Sequence, residues 1–160
     1  MSKIAVVSGS FDPITVGHAD VIKRAEDIFG KVVVAVSRNS EKKGLLSDSS
    51  RLESVKAAFA DDENVSVVQL EGLLSVLVKN LDGVLVRGLR SVSDFDYEKP
   101  MALMNKDLEG VETVFLPASP EYEFVSSTFV RDLIRYGRDI SAYVPKGAAE
   151  VILNEINNDN

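Results

Sequence analysis

The first segment of this chain that could do chemistry runs from Gly9 to His18, with the sequence Gly-Ser-Phe-Asp-Pro-Ile-Thr-Val-Gly-His. It lies between an apolar run and a helical pattern. It offers a glycine for close backbone approach, the Ser10 hydroxyl, and a histidine in the first helical turn. Unpaired N–H groups at a helix start attract anions, and His18 adds a directed donor. The segment therefore predicts an anion site. A proline-containing turn followed by a half-buried histidine is the simpler alternative.

Two common phosphate-binding signatures are missing from this segment. It has neither G-x-G-x-x-G nor G-x-x-x-x-G-K-[ST], which disfavours a dinucleotide oxidoreductase and a P-loop NTPase. The chain has one histidine and no cysteine. A multi-histidine metal site, a thiolate nucleophile and a disulfide are therefore excluded.

A second group of polar residues, Ser126, Ser127 and Thr128, opens a late helix. Alone, three hydroxyls in a row are best explained as N-cap candidates, of which the helix needs only one. Together with the first segment they predict a second contact for an anion or a nucleotide, because both helix starts follow strands.

Two groups of cations also follow strands. Arg87 and Arg90 flank Gly88-Leu89 after a short apolar run, where forked donors could grip phosphate oxygens; a surface salt bridge is the alternative. Lys42 and Lys43 lie in a polar loop, where lysines are usually just solvated.

The elements that must position these residues alternate along the chain. Five apolar, β-rich runs are separated by helical patterns, and several are continuously apolar, which is typical of strands buried on both faces. The runs are Ile4–Val7, Val32–Val36, Val65–Leu70, Val84–Val86 and Val111–Leu116. This alternation predicts a doubly wound, Rossmann-like three-layer α/β sandwich with a five-stranded parallel sheet.

Helix signals lie between these runs. Gly30 should close the first helix, and Ser50 with Glu53 forms a candidate capping box for the second. Pro100 requires that a helix either begins near Lys99 or is kinked. Further helices are predicted around Leu73–Val78, Met101–Leu108, Phe129–Ile134 with Gly137 after it, and Ala148–Ile156.

In such sheets, ligands bind beyond the carboxyl ends of the strands, where the strand order reverses. The loops at those ends are therefore the expected site. They are Ser8–Gly17, Ser37–Ser47, Gly72–Leu74, Arg87–Asp94 and Pro117–Ser127.

Bulk composition limits the function classes. The 160 residues predict one domain spanning 1–160, with fraying from about residue 157. A net charge of −7 and a pI of about 4.8 disfavour nucleic-acid binding, but a small anion needs only a few focused cations. No apolar run is long enough to cross a bilayer, and the apolar stretch at the start of the sequence is too short for a signal peptide. We therefore expect a cytoplasmic protein that binds no membrane.

The motifs resemble those of a known superfamily. Thr15-Val16-Gly17-His18 and Ser126–Thr128 match the nucleotidyltransferase superfamily, which is marked by [HT]-x-G-H and a late Ser-Ser-Thr helix start. The closer resemblance is to the bacterial phosphopantetheine adenylyltransferase family. Gly9–His18 matches its G-[ST]-F-D-P-[IV]-T-x-G-H, and Arg87–Glu98 its R-G-L-R-x-V-x-D-F-[ED]-Y-E. The lysine pair and Met104-Asn105 also match, and the match spans nearly the whole chain.

The resemblance implies that ATP and 4′-phosphopantetheine give dephospho-CoA and pyrophosphate. A phosphate oxygen of the acceptor is already anionic near neutral pH, so catalysis needs positioning and electrostatics rather than a general base. The resemblance also implies Mg²⁺ on the departing pyrophosphate and a homohexamer built as a dimer of trimers. A nucleotidyltransferase with another phosphorylated acceptor, or a non-catalytic ATP-binding module, remain the alternatives.

Residue roles follow from the resemblance alone. His18 would contact the ATP phosphates and stabilise the transition state, while Ser10 would contact both ligands beside the Phe11 backbone. Lys42 and Arg87 would bind the acceptor, Lys42 would also reach the reacting phosphate, and Leu74 would face the pantetheine arm. The remaining ATP-site residues are Gly88, Leu89, Arg90 (on the phosphates), Glu98, Tyr122, Glu123, Phe124, Val125, Ser126, Ser127 and Thr128. Catalysis is therefore expected from His18, Ser10, Lys42 and Arg90.

Overall fold

The computed structural model describes residues 3–38 and 44–158, which form five parallel strands and six α-helices. In chain order these are β1 Ile4–Gly9, α1 Val16–Phe29, β2 Val32–Ser37, α2 Asp48–Ala58, β3 Val65–Leu70, α3 Leu74–Asn80, β4 Gly83–Leu89, α4 Val92–Glu109, β5 Thr113–Pro117, α5 Ser127–Arg135 and α6 Lys146–Asn158. A short 3₁₀ turn at Pro120–Tyr122 precedes α5. No helix in the described ranges is long and apolar enough to cross a membrane.

The sheet has the strand order β3-β2-β1-β4-β5, and every neighbouring pair is parallel. This confirms the predicted doubly wound α/β fold. The chain builds outward from β1 to β3 and then returns to the other side of β1 with β4. The strand order therefore reverses between β1 and β4, which is where a ligand crevice is expected.

Apolar residues cover both faces of the sheet, as continuously apolar strands predict. On one face, alternate residues of β1, β2 and β4 pack against α1, α2, α5 and α6. On the other face, the intervening residues pack against α3 and Val111. Two cores thus hold the central strands rigidly, and their carboxyl ends form a fixed platform.

The ends of α1 confirm the sequence prediction and add a detail. Thr15 is the N-cap, and Gly30 ends the helix with a left-handed φ of 82°, a conformation that costs glycine little. His18 reaches back to the N-cap N–H, so the pair forms a capping box with a histidine in the usual Glu position.

One helix-start prediction is wrong, and one of the two alternatives for the helix around Pro100 is excluded. The N-cap of α2 is Ser47, whose hydroxyl accepts from the Ser50 N–H at 3.2 Å, so Ser50 lies inside the helix. For α4, the alternative of a start near Lys99 is excluded, because α4 begins at Val92 after the Ser91 cap and Pro100 lies inside it. In both cases the serine cap lies earlier in the chain than the start that the Ser50–Glu53 pattern or Pro100 suggested.

Helix α4 is unusual in its exposure. None of its residues is buried, although it carries many apolar side chains. The large apolar residues it exposes are Val92, Phe95, Tyr97, Met101, Leu103, Met104 and Leu108. We call this set the α4 face.

Candidate active site

A cavity of about 430 Å³ lies at the carboxyl ends of β1 and β4, beside the starts of α1 and α5. Its position matches the crevice that the reversal of strand order predicts. Most predicted site residues line it: Ser10, Phe11, His18, Arg87, Gly88, Arg90, Glu98, Tyr122, Val125, Ser126, Ser127 and Thr128. Residues separated by more than 100 positions in sequence therefore share one cavity.

The structure separates a few predicted residues from this group. Leu74, Leu89, Glu123 and Phe124 do not line the cavity. Lys42 lies outside the described residues, as does Lys43. Their roles stay predictions.

His18 is held in one tautomer by the backbone. The Thr15 N–H donates to His18 Nδ1 at 3.0 Å, and the Thr15 hydroxyl accepts from the His18 N–H at 3.3 Å. Because Nδ1 is the acceptor, the neutral ring carries its proton on Nε2. The edge of the ring also meets Phe11, with the two ring centroids 5.1 Å apart. The site therefore contains a neutral, oriented N–H donor.

The charge of His18 is set by its surroundings. Burial, followed by the positive charges of Arg90 and Arg87, lowers its pKa from 6.5 to about 4. The imidazole is therefore neutral at pH 7, where it can donate a hydrogen bond but is a poor general acid.

Arg87 forms a bidentate salt bridge with Glu98. Its Nε and Nη2 donate to the two carboxylate oxygens at 3.0 and 2.7 Å. Its Nη1 donates to the Ser8 carbonyl at 2.7 Å and to the Ser8 hydroxyl at 3.1 Å. Strand β4 and helix α4 are thereby joined, and the guanidinium plane is fixed before any ligand arrives.

Arg90 is less constrained than Arg87. Its backbone N–H donates to Asp94 Oδ2 at 2.7 Å, and its Nε lies 3.7 Å from the same oxygen. The side chain is 46% exposed, so its guanidinium can reorient toward a ligand. The site thus combines one fixed and one adjustable cation.

The three hydroxyls that open α5 all have protein partners. Ser126 caps the helix by accepting from the Phe129 N–H at 3.1 Å. Ser127 donates to the Pro13 carbonyl at 2.8 Å, and Thr128 accepts from Arg131 at 3.0 Å. The N-cap explanation is therefore correct for Ser126. The Ser127 hydroxyl connects α5 to the Gly9–His18 segment, and the Thr128 hydroxyl bonds a residue in the next turn of α5.

Asp12 is a structural residue that the sequence did not single out. Its buried carboxylate accepts from the backbone N–H groups of Leu45 and Leu46 at 2.9 and 2.8 Å. Arg131 donates to the Asp12 carbonyl at 2.8 Å. The first loop is therefore tied both to the chain after β2 and to α5. The only sequence signal was the place of Asp12 between a glycine and a histidine in one loop.

Other cavity residues were missed because their partners are distant in sequence. Asp20 lines the cavity and accepts from Ser119 at 2.8 Å, 99 positions away. Asp94 lines it as well, beside Arg90. A carboxylate in an amphipathic helix has the pattern of a solvated face, so only tertiary packing identifies these two.

The described residues contain no group of three or more His, Asp or Glu side chains that could hold a metal ion. The cavity carboxylates are engaged by Arg87, Arg90, Arg24 and Ser119. Such a donor set suits an ion whose ligands are mainly phosphate oxygens and water.

Comparison with known proteins gives consistent results. The cytidylyltransferase-like family matches residues 6–133. A protein of Streptomyces coelicolor named phosphopantetheine adenylyltransferase is 43% identical over 155 residues, which cover 96% of this chain and 98% of that protein. A protein of the same name from Clostridium novyi is 42% identical over 156 residues, covering 96% of this chain and 97% of the relative.

Structural comparison agrees on the fold. A crystal structure of a candidate nicotinate-nucleotide adenylyltransferase from Vibrio parahaemolyticus has a TM-score of 0.71 and covers 98% of this chain and 94% of its own. At 21% identity, this likeness shows a common fold alone.

Proposed function

This chain belongs to the phosphopantetheine adenylyltransferase family of cytidylyltransferase-like proteins, and from that premise we propose how its residues transfer AMP from ATP to 4′-phosphopantetheine. The products are dephospho-CoA and pyrophosphate, in a late step of coenzyme A biosynthesis. The observation that supports the residue roles best is the shared cavity of His18, Arg87, Arg90 and the start of α5.

The chemistry requires that two anions meet on a protein of net charge −7. An oxygen of the acceptor phosphate attacks the α-phosphorus of ATP in line with the departing pyrophosphate. That oxygen is already anionic, so no base has to remove a proton. The protein must instead align the reactants and offset charge on the α-phosphate, which is the usual origin of catalysis in phosphoryl transfer.

We assign to His18 the donor that faces this charge. Its Nδ1 is occupied by the Thr15 N–H, so Nε2–H donates to a phosphate oxygen in the transition state. Its low pKa keeps the donor neutral, and no proton is transferred. Ser10 lies on the same rim of the cavity, where it contacts both ligands beside the Phe11 N–H.

The two arginines take different phosphates. Arg90 is partly exposed and follows the ATP phosphates as they move. Arg87 is fixed by Glu98 and Ser8, so it presents its cation in one place for the acceptor phosphate. Lys42 and Leu74 complete the acceptor site in this proposal. The segment from Tyr122 to Thr128 holds the adenosine side, with Gly88, Leu89 and Glu98 along the nucleotide.

Magnesium is the metal that this proposal implies. Held mainly by phosphate oxygens and water, it would supply positive charge to offset the charge of the departing pyrophosphate. The described residues contain no group of three or more metal-binding side chains, so the protein's part would be to hold the phosphates through His18 and Arg90.

Pyrophosphate release from ATP, magnesium and 4′-phosphopantetheine tests the function directly. The assay should include nicotinate mononucleotide as acceptor, and CTP with a phosphorylated alcohol. We expect release only with ATP and 4′-phosphopantetheine. Release with another acceptor would assign the chain a different substrate. Tight ATP binding with no release for any acceptor would indicate a binding module.

His18→Ala tests the transition-state role. We expect an intact fold, a kcat reduced by about 100-fold or more, and a much smaller change in KM, since the lost bond matters most in the transition state. Thr15→Ser keeps the cap and the Nδ1 partner, and so serves as the matched control. Unchanged turnover in His18→Ala would remove His18 from the mechanism.

Lys42→Ala and Arg87→Ala test the acceptor site. Both should weaken 4′-phosphopantetheine binding in titration calorimetry by about 10-fold or more, because a charge-assisted bond is lost. Arg135→Ala is the control, since that exposed arginine pairs only with Asp132 among the described residues. Normal acceptor affinity in both site variants would refute the assignment.

We also propose a cytoplasmic homohexamer, arranged as a dimer of trimers. The α4 face supports assembly, because an isolated chain would leave these large apolar side chains in water. Sedimentation of the wild type and of Leu103→Glu is the test. The wild type should sediment as a hexamer and the variant as smaller species. A monomeric wild type would contradict the proposal.

A further inference from the structure

Arg51 is a fully buried cation on the inner face of α2, with a relative exposure of 0%. Its neighbours on that face, Ser54 and Val55, are also buried. A helix normally turns apolar residues to the core, so arginine here breaks the pattern. Departures of this kind are expected at functional sites.

The guanidinium of Arg51 binds the carboxyl ends of two strands. Its Nη1 donates to the Ser10 carbonyl at 2.5 Å and to the Ser37 carbonyl at 2.8 Å, and its Nη2 pairs with Asp48. Ser10 follows β1 and Ser37 ends β2. Arg51 does not line the cavity, so it acts on the site only through these groups.

The parallel ladder between β1 and β2 shows what this contact replaces. Ala5 donates to the Lys31 carbonyl at 3.0 Å, and the register stays constant up to Gly9 and Val36. Donors on one edge of a parallel strand recur every second residue. One further step would pair the Phe11 N–H with the Ser37 carbonyl. Arg51 occupies that carbonyl instead, and no described residue accepts from the Phe11 N–H.

The peptide plane then fixes the direction of the released donor. In a trans peptide, the Ser10 carbonyl and the Phe11 N–H point to opposite sides. Because Arg51 holds that carbonyl, the N–H is directed away from Arg51. Phe11 has a positive φ of 50°, which turns the chain out of the strand at this point, and both residues line the cavity.

We propose that Arg51 is a positioning residue that ends the β1–β2 ladder and frees the Phe11 N–H to bind a phosphate of ATP. This inference rests on the proposed function, because it takes the cavity to be the ATP site. Unlike a side-chain donor, a backbone N–H near the α-phosphate has no side-chain torsions that would move it. Arg51 also fixes Ser37, from which the chain continues toward Lys42.

The tests are two substitutions and one measurement on the unmodified enzyme. Arg51→Lys offers one ammonium to two carbonyls, and Arg51→Met offers none. We expect kcat/KM for ATP to fall about 10-fold and about 100-fold respectively, because a misplaced backbone donor costs on that scale. KM for 4′-phosphopantetheine should change much less. Ser54→Ala is the matched control, since Ser54 is buried on the same face but its hydroxyl, among the described residues, bonds only the Arg51 carbonyl.

The measurement is the ¹⁵N–¹H shift of the Phe11 amide in the unmodified enzyme. Saturating ATP should move this resonance strongly, as a new charge-assisted bond forms. An unmoved Phe11 amide, or folded Arg51 variants with ATP parameters within twofold of wild type, overturns the proposal. Absence of pyrophosphate release by the wild type would instead refute the proposed function, since the amide shift requires only ATP binding.

Discussion

His18 makes protein stability depend on pH in a window that can be assigned to one residue. It is the only histidine in the chain, and its pKa is lowered from 6.5 to about 4 by burial and by the arginines nearby. The unfolded chain therefore binds more protons than the folded one between these values. The free energy of unfolding must then fall as the pH drops through 6.5, and the loss is complete below about pH 4.

The size of the effect follows from the two pKa values. Each unit of pKa difference is worth about 1.4 kcal/mol, so the full loss is about 3 kcal/mol. At about pH 5, where unfolded histidine is almost fully protonated and folded His18 is not, the loss is about 2 kcal/mol relative to pH 8.

His18→Asn is the comparison that isolates this loss. The Asn Oδ1 can replace Nδ1 as acceptor for the Thr15 N–H, so the helix cap is retained while the titrating group is removed. Urea unfolding at pH 8 and pH 5, at one protein concentration, gives the change for each protein. Carboxylates contribute equally to both and cancel, so wild type should lose about 2 kcal/mol more than the variant.

Proton NMR of the single imidazole gives an independent check. Its Hε1 resonance should show no titration between pH 8 and pH 6 in the folded protein. A midpoint near 6.5, or parallel stability losses in wild type and His18→Asn, would show that the ring is not shielded as the structure indicates.

Three other predictions follow from the same structure. A Cβ on Gly88 would lie 2.8 Å from Val21 Cγ2, so Gly88→Ala should cost about 1–3 kcal/mol in urea unfolding; Val21→Ala should relieve part of that cost, and strict additivity in the double-mutant cycle would contradict it. A Cβ on Gly147 would lie 2.3 Å from the Ala57 carbonyl, so Gly147→Ala should separate α2 from α6 and cost roughly 3 kcal/mol or more; wild-type stability would disprove this close contact. EDTA should abolish turnover but leave the melting temperature of the ligand-free protein unchanged, because its described residues provide no metal cluster; a lower melting temperature would reveal a structural ion.

The sequence predicted that the candidate residues would meet at one edge of the sheet, because local patterns determine which residues follow strands. Five apolar runs predicted five parallel strands, and the carboxyl ends of parallel strands meet at one edge of a sheet. His18, Arg87 and Ser127 therefore had to converge. Strand and helix ends differed by a few residues, since Ser47 and Ser91 cap α2 and α4 earlier than the Ser50–Glu53 pattern and Pro100 suggested.

The supporting interactions could not be predicted, because they join distant parts of the chain. Arg51 lies in a helical pattern where a cation normally faces solvent, and only the packing of α2 against the sheet buries it. Asp12 meets its partners 33 and 34 positions later. Arg87 and Glu98 belong to one motif, yet their pairing depends on where α4 lies against β4. Sequence patterns predict elements, whereas these contacts depend on how the elements pack.

The bond between Thr15 and His18 constrains how this protein can evolve. One nitrogen of the ring secures the start of α1, while the other is the donor to phosphate in the proposed mechanism. A replacement at position 18 must therefore satisfy two selections at once, for architecture and for reactivity. Few side chains offer an acceptor and a donor on opposite edges of one rigid ring. We therefore expect few substitutions at position 18 to be tolerated, even in a lineage that needs only modest turnover.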